Sequence, residues 1–126
     1  MVPPAARRDE MELADAIRFG AGRRSEQAFG EYYQGRHASC ALGAAYEGIY
    51  RLPEEVGQLH PKRLERLFDC LEGTTRACPE GCRKRLMLAA MIIHLNDDHR
   101  WDRERIAAWV AEPGASEPKA EVGLPR

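Results

Sequence analysis

Cys78 and Cys82 are separated by three residues, His94 and His99 by four, and the two pairs by eleven. Thiolate sulfur and neutral imidazole nitrogen are the donors that Zn²⁺ prefers. Zinc fingers place a cysteine pair roughly two to four residues apart and a histidine pair roughly three to five apart, with a spacer near twelve. The first candidate chemistry is therefore a structural zinc site on Cys78, Cys82, His94 and His99. One step counts against it. The stretch "RKRLMLAAM" directly after Cys82 can be helical from its first residue. A helix of about 12 residues is ~18 Å long, so Cys82 meets His94 only if the knuckle folds back along the helix. Two other readings stand beside zinc. In the plainer one, Cys78 and Cys82 sit in a turn and His94 is a core histidine bonded to a backbone carbonyl. Spacing alone leaves that reading slightly ahead. A disulfide or redox pair comes third, because three intervening residues depart from the Cys-x-x-Cys redox spacing.

The same stretch raises two further chemistries. "HLNDDH" offers imidazole and carboxylate together at His94, Asp97, Asp98 and His99, enough for acid–base work or a hydrolytic metal. It is not the HExxH arrangement, and the chain has no glycine-rich phosphate loop and no serine nucleophile elbow. An enzyme is thus a minority reading. Arg83, Lys84, Arg85, Arg100, Arg103 and Arg105 surround the Cys/His segment and are candidate phosphate contacts. Glu80, Asp97, Asp98, Asp102 and Glu104 lie among them, and interleaved signs are the usual mark of a solvated face. Trp101 and Trp109 are assigned to core packing ahead of base stacking.

These residues need elements to position them. Asp9 and Glu12 stand at capping-box spacing before a helix whose face is Leu13, Ala16, Ile17 and Gly20, with Gly20 and Gly22 as its stop. The aromatics at 29, 32 and 33 and the Gln34–Gly35 turn signal fit a short β-hairpin near residues 29–37. Ser39 is placed to cap a second helix, which Pro53 should stop. Its small face of Ala41, Ala44, Ala45 and Gly48 permits close helix approach. "PEEV" reads as one further turn. "HPKRLERLFDCLEG" is the clearest helix, with Leu64, Leu67, Phe68 and Leu71 on one stripe, Cys70 off it and Gly73 at its end. "TTRACPEGC" reads as a turn-rich connection. "RKRLMLAAMIIHL" is apolar nearly all round and should be the central helix, ended by a left-handed Asn96. Asp102 then caps a last helix that buries Ile106, Trp109 and Val110.

"IIHLNDDHRWDRERIAAWV", residues 92–110, resembles a pattern in small uncharacterised phage and prophage proteins: HLND-x-H-x-W, then Thr or Ser, then an Arg-Glu and Ile-Ala-x-Trp helix. "LADAIRFGA" and "CALGAAYEG" are similar to that family's first two helices. Two departures are visible. Asp102 stands where the family has Thr or Ser, and the cysteine pair carries one residue more than the Cys-Pro-x-Cys-Gly knuckle of some of its members. The resemblance implies a fold and a phage-type origin, and no activity.

The bulk properties narrow the rest. The chain has 126 residues, which suits one domain, and a formal charge of −1 from 19 basic and 20 acidic side chains. That balance gives no global field toward nucleic acid or an anionic membrane. The longest apolar run, "LMLAAMII", is too short for a membrane span, and the N-terminus lacks the apolar core of a secretory signal. A cytoplasmic location follows, where cysteines stay reduced or metal-bound. The expected architecture is mainly α: a bundle of about five helices with room for one short hairpin near 29–37. A flexible lead (1–8), one helical domain (9–111) and a disordered tail (112–126) complete it. The expected function is that of a small non-enzymatic intracellular phage-type protein that binds a macromolecular partner, a protein ahead of nucleic acid, with zinc as its candidate cofactor. A nucleic-acid-binding regulator using the basic residues is the first alternative. A metal-dependent enzyme at HLNDDH is the second.

Overall fold

A computed structural model describes residues 4–55 and 61–112. Five helices and two small sheets follow in the order α1 (Pro4–Arg23), β1 (Glu26–Gln27), β2 (Tyr33–Gln34), β3 (Ala38–Ser39), α2 (Ala41–Glu55), α3 (Pro61–Gly73), β4 (Thr75–Ala77), β5 (Arg85–Met87), α4 (Leu88–Asp97) and α5 (Arg103–Ala111). The architecture is mainly α, as the periodicity predicts. Among the described residues no helix is long and apolar enough to cross a membrane.

The core is built on the packing of α1 against α2 and α5. Small residues interlock at the first of these contacts. A Cβ added to Gly20 would lie 2.1 Å from the Ala44 carbonyl oxygen, and one added to Gly48 would lie 2.0 Å from that of Ala16. Each helix thus presents a small residue where the other's backbone passes, four residues apart on each (Ala16 and Gly20, Ala44 and Gly48). Gly20 is therefore a packing residue and not the stop that its type suggested; α1 continues to Arg23.

Several other boundaries differ from expectation. The first helix begins at Pro4, a residue suited to a first turn. Residues 4–8 are thus helical, and Asp9 accepts from the Arg66 side chain instead of capping. Helix α2 runs two residues beyond Pro53, to Glu55, so "PEE" belongs to it. Ser39 does not cap α2; its hydroxyl accepts from Arg103. The cap falls one residue later, where the Cys40 thiol accepts from Gly43 N at 3.3 Å. The hairpin exists as β2 and β3, antiparallel with Tyr33 opposite Ser39, and turns at Gly35 with φ +66°. A parallel partner, β1, joins β3 on its other side. Cys70, off the α3 stripe, is nonetheless buried in the core. Residues 1–3 of the expected lead, 113–126 of the expected tail, and Val56 lie outside the described residues.

A buried arginine ties β4 to α1 and α5. Arg76 on β4 is fully buried, donates to Glu10 Oε2 at 2.9 Å and to the Trp109 and Val110 carbonyls, and stacks on the Trp109 ring at 4.5 Å. It satisfies the last carbonyls of α5, where a positive charge also suits the helix dipole.

Candidate metal centre

The cysteines sit on the loop of a β-hairpin. Strands β4 and β5 are antiparallel, with Arg76 opposite Leu86 and Ala77 opposite Arg85. Cys78 N donates to Lys84 O at 2.9 Å, which closes the knuckle, and Gly81 takes a left-handed φ of +88° inside it. Helix α4 starts only at Leu88, so residues 83–87 are not its first turn, contrary to the sequence reading. This difference removes the obstacle to a shared site. The three residues of β5 carry the chain ~10 Å from the knuckle. The climb from Leu88 to His94 along α4 returns it by ~9 Å. The outward and return paths nearly cancel, and His94 arrives beside Cys82. His99 follows the end of α4 and completes the group.

The four donor atoms lie within 4.8 Å of one another and can hold a metal ion. Cys82 Sγ is 3.2 Å from His94 Nε2 and 3.8 Å from His99 Nε2. Cys78 Sγ is 3.5 Å from His99 Nε2, and the two Nε2 atoms are 3.1 Å apart. A tetrahedron with bonds of ~2.0 Å to nitrogen and ~2.3 Å to sulfur has edges of about 3.3–3.8 Å. These four of the six separations fall within about 0.3 Å of the corresponding edges of a zinc-sized tetrahedron. Cys78 and His94 are buried, while Cys82 and His99 are half-buried.

The surroundings prepare the donors. His94 Nδ1 is 2.7 Å from Asp98 Oδ2, one helical turn on. A proton held there on Nδ1 leaves the Nε2 lone pair facing the other donors, the usual outer-shell support of a metal-bound histidine. Hydrogen bonds from His99, the Lys84 amide and Cys78 lower the Cys82 thiol to about 6, so it is largely thiolate at neutral pH. Burial pushes the Cys78 thiol the other way. No disulfide joins the cysteines.

The rest of the HLND segment does different work. Asn96 is fully buried and is not the left-handed end of α4; that conformation falls on Arg100, at φ 58°. The Asn96 side chain accepts from Ala41 N at 3.0 Å and Gln27 Nε2 at 2.7 Å, and donates to Ala28 O at 2.9 Å and Asp97 Oδ1 at 2.7 Å. It caps α2 from a distance and ties β1 to α4. Asp97 Oδ1 also accepts from Gly30 N. Beyond the turn, Trp101 is buried, and its indole N–H donates to Glu80 on the knuckle. Asp102 accepts from Arg105 N at 2.7 Å and caps α5, as its position predicts.

The six basic candidates do not form one patch. Arg83, Lys84 and Arg85 are exposed on the knuckle. Arg100 and Arg105 lie over the Phe29 and Trp101 rings at 4.2 and 3.7 Å. Arg103 is withdrawn as a phosphate contact, since it is buried with its guanidinium on Ser39. Sequence reasoning missed Arg76 and the distant partners of Asn96. A buried polar residue is revealed by its partners, and these are 55 or more residues away for the three bonds that Asn96 makes outside its own helix. No protein-family model, no curated protein and no solved structure matches the chain.

Proposed function

We propose that Cys78, Cys82, His94 and His99 hold one zinc ion in a closed structural centre, and that the chain is a non-enzymatic intracellular phage-type domain that binds a macromolecular partner. The observation that carries this reading is the convergence of two sulfurs and two imidazole nitrogens, all within 4.8 Å of one another and four of their separations close to those of a zinc tetrahedron. That donor set suits zinc above harder cations such as Mg²⁺ or Ca²⁺. Four protein ligands fill a tetrahedral ion and leave no position for water, which argues against the metal-dependent enzyme at HLNDDH. A centre of this kind contributes folding free energy and no chemistry. The work of the domain then falls to the surfaces that the centre holds in place. Cysteines that are metal-bound or left unpaired belong to a reducing compartment, which supports an intracellular setting.

The test is metal analysis of protein purified without a histidine tag. The expected result is about one zinc per chain, with a strong chelator lowering the melting temperature and zinc restoring it. Protein that is metal-free, takes up no added zinc and melts identically with and without chelator would overturn the reading.

A further inference from the structure

A second cluster lies on helix α2, apart from the four metal donors. Glu47 is buried on α2, and three arginines converge on its carboxylate. Arg24 Nε is 2.9 Å from Oε1, Arg23 Nε is 3.1 Å from Oε2, and Arg51 Nε is 3.4 Å from Oε2. Burial acts to raise the Glu47 carboxyl, but the hydrogen bonds from Arg24 and Arg23 outweigh it and hold the group below its ordinary value. Glu47 is therefore ionised, and one negative charge faces three positive ones.

Neutralising Glu47 needs only Arg24. That side chain is the least exposed of the three and is locked by its bonds to the Gly35 and Arg36 carbonyls. Arg23 and Arg51 are 42% and 54% exposed. Exposed ion pairs contribute little to stability, and these two add mutual repulsion. Both engage Glu47 through Nε, the inner nitrogen of the guanidinium. Aromatic faces flank the charge. Arg24 stacks over Tyr33 at 4.6 Å, and Tyr33 is anchored by its hydroxyl to the Gly43 carbonyl. Gly43, Glu47, Tyr50 and Arg51 share one face of α2 by helical spacing. Tyr33 and Tyr50 are 39% and 51% exposed.

Fixed guanidinium groups with surplus charge, interleaved with exposed aromatic rings, are the chemistry that holds an unpaired nucleic-acid strand: arginines on phosphates, rings under bases. We propose that the Arg23–Glu47–Arg51 cluster, with Tyr33 and Tyr50, is a binding surface for single-stranded nucleic acid. The proposal deepens the reading of the chain as a binding domain and does not depend on the metal.

The experiment is fluorescence anisotropy with a labelled oligothymidine of about 12 nucleotides, a length within the footprints of small binding domains, on full-length protein whose zinc content is measured in the same sample. Binding should weaken with salt. Arg23→Ala and Arg51→Ala should each lower affinity ~5-fold at ~0.1 M salt and reduce the salt slope by ~0.7. Both variants should melt like the parent. Tyr50→Ala should lower affinity ~5-fold or more through lost stacking. No binding at ~50 mM salt would overturn the proposal. So would binding that survives the Arg23→Ala/Arg51→Ala double variant but is lost in Arg83→Ala/Arg85→Ala, which would move the contact to the knuckle. A duplex bound as tightly, with Tyr50→Ala silent, would reject the single-stranded partner. Metal-free protein that still binds through Arg23 and Arg51 would refute only the zinc centre.

Discussion

Replacing Asn96 with alanine tests the joint between α4 and the rest of the domain. The side chain has no exposure to solvent, and neither do Ala41 and Ala28, whose backbone groups it serves. Its removal strands two of them: the Ala41 amide, an orphan donor at the start of α2, and the Ala28 carbonyl. The other two partners keep a bond. Gln27 Nε2 still donates to the Trp101 carbonyl at 2.8 Å, and Asp97 Oδ1 still accepts from Gly30 N. A buried polar group left unpaired costs ~1–3 kcal/mol, so Asn96→Ala should cost ~2–6 kcal/mol. A domain of this size is stable by about 5–15 kcal/mol, and ~1 kcal/mol moves its melting temperature by ~4–8 °C. The melting temperature should thus fall by ~8 °C or more, followed by circular dichroism at fixed zinc, with urea unfolding giving the free energy. Asp97→Ala is the control. Its carboxylate serves the exposed Gly30 amide and Asn96 Nδ2, which keeps its bond to Ala28 O, so its loss should cost ~1 kcal/mol, clearly less than that of Asn96. Asn96→Asp should be no better than alanine, because it keeps the acceptor for Ala41 but cannot donate to Ala28 and buries a charge beside Asp97. An Asn96→Ala protein that loses under ~1 kcal/mol, or no more than Asp97→Ala, would refute the account.

Gly48→Ala should destabilise by ~1–3 kcal/mol or more, because the new methyl meets the Ala16 backbone and only separation of α1 and α2 relieves it. Gly22→Ala, with open space around the new Cβ, should instead be neutral or stabilise α1 by up to ~1 kcal/mol in the same melting assay. Asp98→Ala should lower zinc affinity ~10–100-fold in competition with a chromophoric chelator. The zinc-saturated variant should unfold like the parent, since the Asp98 side chain is largely exposed.

The clearest sequence signals were those that a helix carries by itself. The stripe on α3, the small face of α2 and the Asp102 cap depend on residues within a few positions of one another, and they stand where the pattern puts them. Gly20 was misread because glycine has the same signature whether it ends a helix or admits a neighbour, and only the position of Ala44 separates the two. The short strand β5 was hidden by its own composition: Leu86 and Met87 continue the apolar run of α4 without a break. Its pairing with β4 lies ten or so residues back and has no local mark. That strand decides the site, because a helix beginning at Arg83 would have carried His94 away from Cys82. The spacing of the four donors was thus legible as a candidate, and the fold-back that unites them was not.

The HLND segment combines two duties because an α-helix turns ~100° per residue. His94 and Asp98, one turn apart, point to the knuckle side, where Asp98 fixes the imidazole. Asn96 lies ~200° around the axis from His94, and there it meets Ala28, Gln27 and the first amide of α2. An ion held by His94 therefore sets the rotation of α4 about its axis, and that rotation is what presents Asn96 to α2. The chain leaves the helix through Arg100 in the left-handed region, which costs free energy for any side chain but glycine. Its two neighbours explain why the turn is held: His99 is gathered among the four candidate metal donors, and Trp101 is fastened to Glu80 of the knuckle. One short stretch thus joins the knuckle, α2 and α5 at a single corner. A change at His94 should loosen the start of α2 as well as any bound metal, whereas a change at Asn96 should loosen the start of α2 even in protein whose four donors are intact.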